Sequence, residues 1–251
     1  MDFETAQVSL IGDRPENQDR AEILIRDEGV LAIVADGMGG HRDGALAAET
    51  AITHLESAFR DARRKRPEPE KFLSETIASA HAEVLALGAG MPLDVRPGTI
   101  IVCALILGTE MWWAHVGDSR AYHLRAGKLL VRTRDHTEIE ELLEAGKITL
   151  RQAETHPGRH MVEHCLGVSP ETPPMAVSEA MKLADGDTVL LCSDGFWSQT
   201  EEASLLTALS RQTDLQALVE ALAENAAKAG SPHSDNVTAI ALRMHVGEET
   251  Q

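Results

Sequence analysis

Four near-continuous apolar stretches of strand length, at residues 31–35, 100–107, 112–116 and 189–192, constrain this chain more than any other feature. Runs this short and without alternation read as strands buried on both faces, so the chain must fold around central sheets covered on each side. Alternating or shorter stretches at 7–11, 21–25, 121–124, 129–132 and 237–242 add further strands. The covering layers are legible as helices. Leu46, Ile52, Leu55 and Phe59 are spaced for one face of a helix over 44–59, and Leu73, Ile77, Ala80 and Val84 for one over 70–87. Thr213 with Gln216 has the capping-box spacing that opens a helix reaching about Lys228 and ending at Gly230. A further helix is expected after Thr200.

Between residues 134 and 174 the strand pattern stops. Thr137 with Glu140, and Thr149 with Gln152, have capping-box spacing ahead of short helical stretches, and the Gly- and Pro-containing turns at 156–158 and 167–170 would give hinges. We read this as an insertion over one end of a sheet. With 251 residues, no low-complexity linker and no internal repeat, the chain is expected to form one domain over 1–251.

Composition excludes several classes of function. The longest apolar run, 100–107, is far too short to cross a bilayer, and the opening MDFETAQVSL is acidic rather than a basic-then-apolar leader, so a cytoplasmic protein is expected. Cys103, Cys165 and Cys192 are odd in number and widely spaced, which suits reduced core thiols better than disulfides or a thiolate zinc site. A net charge of −17 would repel nucleic acid. The one basic cluster, Arg63, Arg64, Lys65 and Arg66, runs straight into Pro67-Glu68-Pro69-Glu70 and reads as a solvated helix end.

Three of the apolar runs end in an aspartate beside a glycine: Asp36-Gly37, Gly117-Asp118 and Asp194-Gly195. Asp235 stands just before the last strand, and Asp19 just before the strand at 21–25. Any one of them alone is more readily a turn residue, since Asp beside Gly is common where a strand reverses. Five converging carboxylates would repel by about 4 kcal/mol per pair at roughly 4 Å with an effective dielectric of about 20, so such a cluster needs cations. Oxygen-only ligation without His or Cys suits Mg²⁺ or Mn²⁺ and argues against zinc.

The segments at 14–19 (RPENQD), 36–41 (DGMGGH), 116–121 (VGDSRA), 193–195 (SDG) and 235–238 (DNVT) resemble, in order, spacing and identity, the motifs of the protein phosphatase 2C (PPM) family in its bacterial form. The resemblance implies an α+β fold, a four-layer αββα sandwich of two antiparallel sheets flanked by helices, with metals at one end. It implies a serine/threonine protein phosphatase that hydrolyses phosphoserine and phosphothreonine by direct attack of a water activated by two Mn²⁺ or Mg²⁺ ions. Carried over by position, Asp36 bridges the ions with help from the Gly37 carbonyl, Asp194 and Asp235 complete the first, and Asp19 serves the second through water. Asp118 matches the ligand of a third, weaker ion, Asn236 orients Asp235, and Arg14 grips phosphate. The partners implied are phosphorylated proteins, a serine/threonine kinase and its targets, with the chain a monomer. The insertion over 134–174 matches the family's flap.

Two positions depart from the pattern. Some relatives carry a histidine directly after the Asp-Gly dipeptide, proposed as the acid for the leaving alkoxide, where this chain has Met38; His41 lies nearby. Many relatives have an aspartate where this chain has Ser198, so a third site would be weak. His81, His115 and His123 are left without a role, as packing or surface residues. Two other readings of the carboxylates are disfavoured. A phosphatase-like regulatory module that binds a phosphoprotein without turnover would be expected to have lost some of them, and a metal-dependent nuclease would need a basic groove.

Overall fold

The computed structural model describes all residues except 1, 28, 39–42, 63–67, 155, 157, 159–160, 212 and 246–251, with backbone alone at 150 and 154. His41 and the basic cluster at 63–66 therefore lie outside the described residues.

Each apolar run forms a strand, extended by a residue or more at one or both ends. Leu31 to Ala35 becomes part of β3 (Gly29–Gly37), and the others β4 (Thr99–Leu107), β5 (Glu110–Val116) and β10 (Thr188–Cys192). The weaker stretches give β1 (Asp2–Leu10), β2 (Arg20–Arg26), β6 (Arg120–Arg125), β7 (Lys128–Arg132) and β11 (Val237–His245). Two very short strands, β8 (Ala176–Val177) and β9 (Met181–Lys182), carry too few residues for a periodic signal and pair with β5.

One sheet has the order β1-β11-β10-β6-β7 and the other β2-β3-β4-β5-β8, every pairing antiparallel. Alternation along the central strands assigns their side chains to two cores. On β3, Val30, Ala32 and Val34 meet Ile240, Leu242 and Met244 of β11 between the sheets. The opposite faces turn outward to helices: Leu31 and Ile33 to α1 (Gly44–Asp61) and α2 (Pro69–Leu87), and Ala239 and Ala241 to α7 (Leu215–Gly230). This two-sided burial is why the strands read as continuous apolar runs. Helix, sheet, sheet and helix make the four expected layers.

Two details of the helices differ from the sequence reading. Leu46 is half exposed, because α1 presents Ala47, Ala48 and Ala51 to the sheet with Ile52, Leu55 and Phe59. The cap of α7 is Asp214, whose side chain accepts from the Ala217 amide at 2.7 Å, while Gln216 bonds the backbone of Gln7 on β1. A helix does follow Thr200, as α6 (Glu202–Leu209).

Within the insertion, Thr137 caps α3 (Glu138–Glu144) and Thr149 makes reciprocal bonds with Gln152 on α4 (Leu150–Glu154). The segment folds back onto β4, where Thr99 and Leu166 exchange two backbone hydrogen bonds. The expected hinge at 167–170 is tied down at its first residue: the Gly167 N–H donates to His81 Nδ1 on α2 at 3.2 Å. The hinge at 156–158 lies partly outside the described residues. All three cysteines are free thiols, two of them fully buried.

Candidate active site

Antiparallel pairing brings every chemistry-bearing segment to one end of the sandwich. There β1 ends and leads to Arg14, and β2 begins after Asp19. β3 ends at Asp36 and Gly37, β5 ends before Asp118, β10 ends before Asp194, and β11 begins after Asp235. Asp194 is the first residue of the short helix α5 (Asp194–Trp197). The glycine after it is required by packing, since a Cβ at Gly195 would fall 2.1 Å from the Asn236 carbonyl oxygen.

Arg14, Asp36, Asp118, Asp194 and Asp235 all line one cleft of about 580 Å³, together with Met38, Ser198 and His233. Asp19 stands behind its wall, 3% exposed, where Ser193 Oγ donates to its Oδ2 at 2.8 Å. Asn236 bolts the Arg14 segment to β11. Its Nδ2 donates to the Ile11 and Glu16 carbonyls, its Oδ1 accepts from the Gln18 amide, and its own backbone N–H donates to Asp235 Oδ1. Asp13 does the same from the other side by accepting from the Ser234 N–H and hydroxyl. The sequence gives Asp13 no signal of its own, and Ser193 appears there only as the first residue of the SDG segment, with no role assigned.

The electrostatics are those of crowded carboxylates. Burial first, and then Asp19, Asp194, Asp118 and Asp235, push the Asp36 carboxyl well above the usual range. Asp194 is raised by burial and by Asp118, Asp235 and Asp19. Burial pushes Asp118 up to about 7 and Asp19 up to about 6, the latter against a hydrogen bond from Ser193. All five aspartates therefore share one field.

Among the described residues, no three His, Cys, Asp or Glu side chains stand ready-made around one point as a closed ligand set. Asp19 is engaged with Ser193, and Asp235 with Arg14, whose Nη2 lies 2.6 Å from Oδ2. The donor set nevertheless fits hard divalent cations. It is all oxygen, its charges repel one another, and Oδ1 of Asp118 is buried with no hydrogen-bond partner.

A sandwich of two antiparallel sheets with clustered aspartates at one end defines a phosphatase of the protein phosphatase 2C class. A sequence profile described as protein phosphatase 2C matches residues 8–240, and the chain belongs to that family. The serine/threonine phosphatase stp of Listeria monocytogenes is 32% identical over 240 residues, 94% of this chain and 93% of that protein. The Streptococcus agalactiae serine/threonine phosphatase superposes with a TM-score of 0.88 at 28% identity, covering 97% of this chain and 100% of that one. A structure of the catalytic domain of the serine/threonine protein phosphatase PstP in complex with two manganese ions superposes with a TM-score of 0.79 at 27% identity, covering 97% of this chain and 99% of that one.

Proposed function

We propose that the chain is a protein-serine/threonine phosphatase that removes phosphate from phosphoserine and phosphothreonine by direct transfer of the phosphoryl group to water. The observation that carries this reading is the convergence of five aspartates and Arg14 at one end of the sandwich. Mn²⁺ or Mg²⁺ would be held by Asp36 with the Gly37 carbonyl, Asp194 and Asp235, with Asp19 acting through water and Asp118 serving a weaker third ion. When bound, such cations would supply an acidified water and neutralise charge on the phosphoryl oxygens.

The rest falls to the chain. Arg14 lies at the rim, its side chain 48% exposed, where a planar guanidinium can take two phosphate oxygens at once. Ser193 holds Asp19, and the Asn236 backbone N–H holds Asp235, so neither carboxylate has to be ordered during turnover. Met38 has no proton to give, so the residue after Asp-Gly does not protonate the leaving alkoxide here. No nucleophilic side chain is required.

We read residues 1–251 as one domain, with the 134–174 segment acting as a flap whose Val162 borders the cleft and influences substrate choice. The partners are phosphorylated proteins, among them a serine/threonine kinase and its targets, and the setting is the cytoplasm. No helix among the described residues is long and apolar enough to cross a membrane. We take the chain to act as a monomer. No observation favours the binding-only module, since every carboxylate of the dinuclear set is present. Phosphate release from matched phosphoserine, phosphothreonine and phosphotyrosine peptides with Mn²⁺ tests the reading. The first two should be cleaved well and the third poorly, and a silent protein would overturn it.

A further inference from the structure

The loop from Gly117 to Ser119 joins β5 to β6 and carries Asp118. It is gripped by residues to which the mechanism gives no part. His136 holds Gly117 twice, its backbone N–H donating to the Gly117 carbonyl at 3.0 Å and its Nδ1 accepting from the Gly117 N–H at 3.3 Å. Trp197 holds the next residue, its Nε1–H donating to the Asp118 carbonyl at 2.9 Å. Gly117 has φ +102°, and a Cβ there would fall 2.5 Å from Ile100, so the loop can take this path only with glycine at that place.

The two holders are themselves braced. The Arg120 guanidinium lies 3.4 Å from the centroid of the Trp197 ring. Arg120 is fixed in turn by Asp135 through a forked pair, Nε to Oδ1 at 2.9 Å and Nη2 to Oδ2 at 2.7 Å. The two side chains are only 15% and 6% exposed, so this pair is a desolvated strut rather than a surface contact. Asp135 and His136 are neighbours at the root of the insertion, so one dipeptide braces both sides of the loop. The ring of His136 is backed by His115 at 4.6 Å between centroids.

What the clamp holds in place is a carboxylate 1% exposed whose Oδ1 has no hydrogen-bond partner. A buried acceptor left unmatched is unfavourable in a protein interior, and here the surrounding bonds keep it from turning away. We propose that His136, Trp197, Arg120 and Asp135 are positioning residues that hold the Asp118 carboxylate for a cation, so that the affinity of this third site is set by the clamp as well as by its ligands. Trp197 immediately precedes Ser198, so the same contact fixes how near the α5 turn stands to Asp118. The inference rests on the reading of Asp36, Asp194 and Asp235 as the holders of the two tighter cations.

Calorimetric titration of the full chain with MnCl₂, without any phosphoester present, tests it. The wild type should show tight binding and a weaker step that disappears in Asp118→Ala. Trp197→Phe keeps an aromatic face for Arg120 and removes only the indole N–H. It should weaken the weaker step about three- to tenfold, the range one hydrogen bond is worth, and leave the tight binding unchanged. His136→Ala should weaken the same step, and His136→Asn, which can still offer an acceptor to Gly117, should weaken it less. Neither His136→Ala nor Trp197→Phe should change the titration further in the Asp118→Ala background. The proposal is overturned if the wild type has no Asp118-dependent step, if Trp197→Phe and His136→Ala titrate like the wild type, or if they shift tight and weak binding equally. Absence of the tight binding itself would instead overturn the reading of the dinuclear site, so the two failures are distinguishable.

Discussion

Arg14 Nη2 lies 2.6 Å from Asp235 Oδ2, so the side chain that suits phosphate is paired with a carboxylate that suits a cation. Both are 40% or more exposed, and an ion pair in such a place contributes about 0–1 kcal/mol, so Arg14 is released to an incoming phosphate at little cost. Arg14→Ala should raise KM about tenfold with kcat changed much less, and Arg14→Lys should fall between, because an ammonium cannot take two oxygens in a fork. Steady-state kinetics on a phosphothreonine peptide decide this. A lost kcat with KM untouched would remove Arg14 from the role of phosphate anchor.

Ser198 lies on the cleft wall with Asp118 and Asp194. Replacing its hydroxyl by a carboxylate should complete the third cation site, so Ser198→Asp should lower the Mn²⁺ concentration for half-activation several-fold. The gain should vanish in the Asp118→Ala background, since two ligands of one ion do not act additively. An equal shift with and without Asp118 would show that Ser198 does not border that site.

Asp187 is fully buried at the end of β10 remote from Asp194 and accepts from His123, from a forked Arg125 and from the Ala184 amide. Asp187→Ala would leave His123 Nε2 and the Ala184 amide unmatched while Arg125, 43% exposed, turns to water, and should destabilise the fold by about 2 kcal/mol in denaturant melts without altering the KM of the properly folded fraction. A loss within error of zero would mean that the cluster is dispensable.

His136 is held well below the ordinary histidine range, from 6.5 to about 4, by burial first and then by His115 and His164. Its folded value lies below its unfolded one, so the stability that its neutral form contributes is intact above about 6.5 and is lost as pH falls toward about 4. The melting temperature of the wild type should therefore drop more steeply over that window than that of His136→Asn. Parallel curves would contradict this.

The apolar runs and the five aspartates were legible in the sequence because burial on both faces of a strand, and an Asp-Gly at its end, leave strong one-dimensional signals. The positions of Leu46 and Asp214 were not, since a helix chooses its buried side and its cap from what it packs against: α1 turns its alanines to the sheet, and α7 frees Gln216 for Gln7. The clamp around Asp118 was invisible for a similar reason. Arg120, Asp135, His136 and Trp197 are brought together by the pairing of β6 with β10 and by the root of the insertion, and no sequence spacing foreshadows a guanidinium stacked on that indole.

The central claim is that Asp36 and Asp194 act as holders of divalent cations for hydrolysis. Phosphate release from a phosphothreonine peptide, measured for the wild type with Mn²⁺, in excess EDTA and after Mn²⁺ is restored, and for Asp36→Asn and Asp194→Asn with Mn²⁺, tests it most directly. The account predicts activity that is lost to EDTA, recovered on restoring Mn²⁺, and at least about a hundredfold lower in each variant. Equal turnover in excess EDTA, or variants that turn over like the wild type, would contradict it.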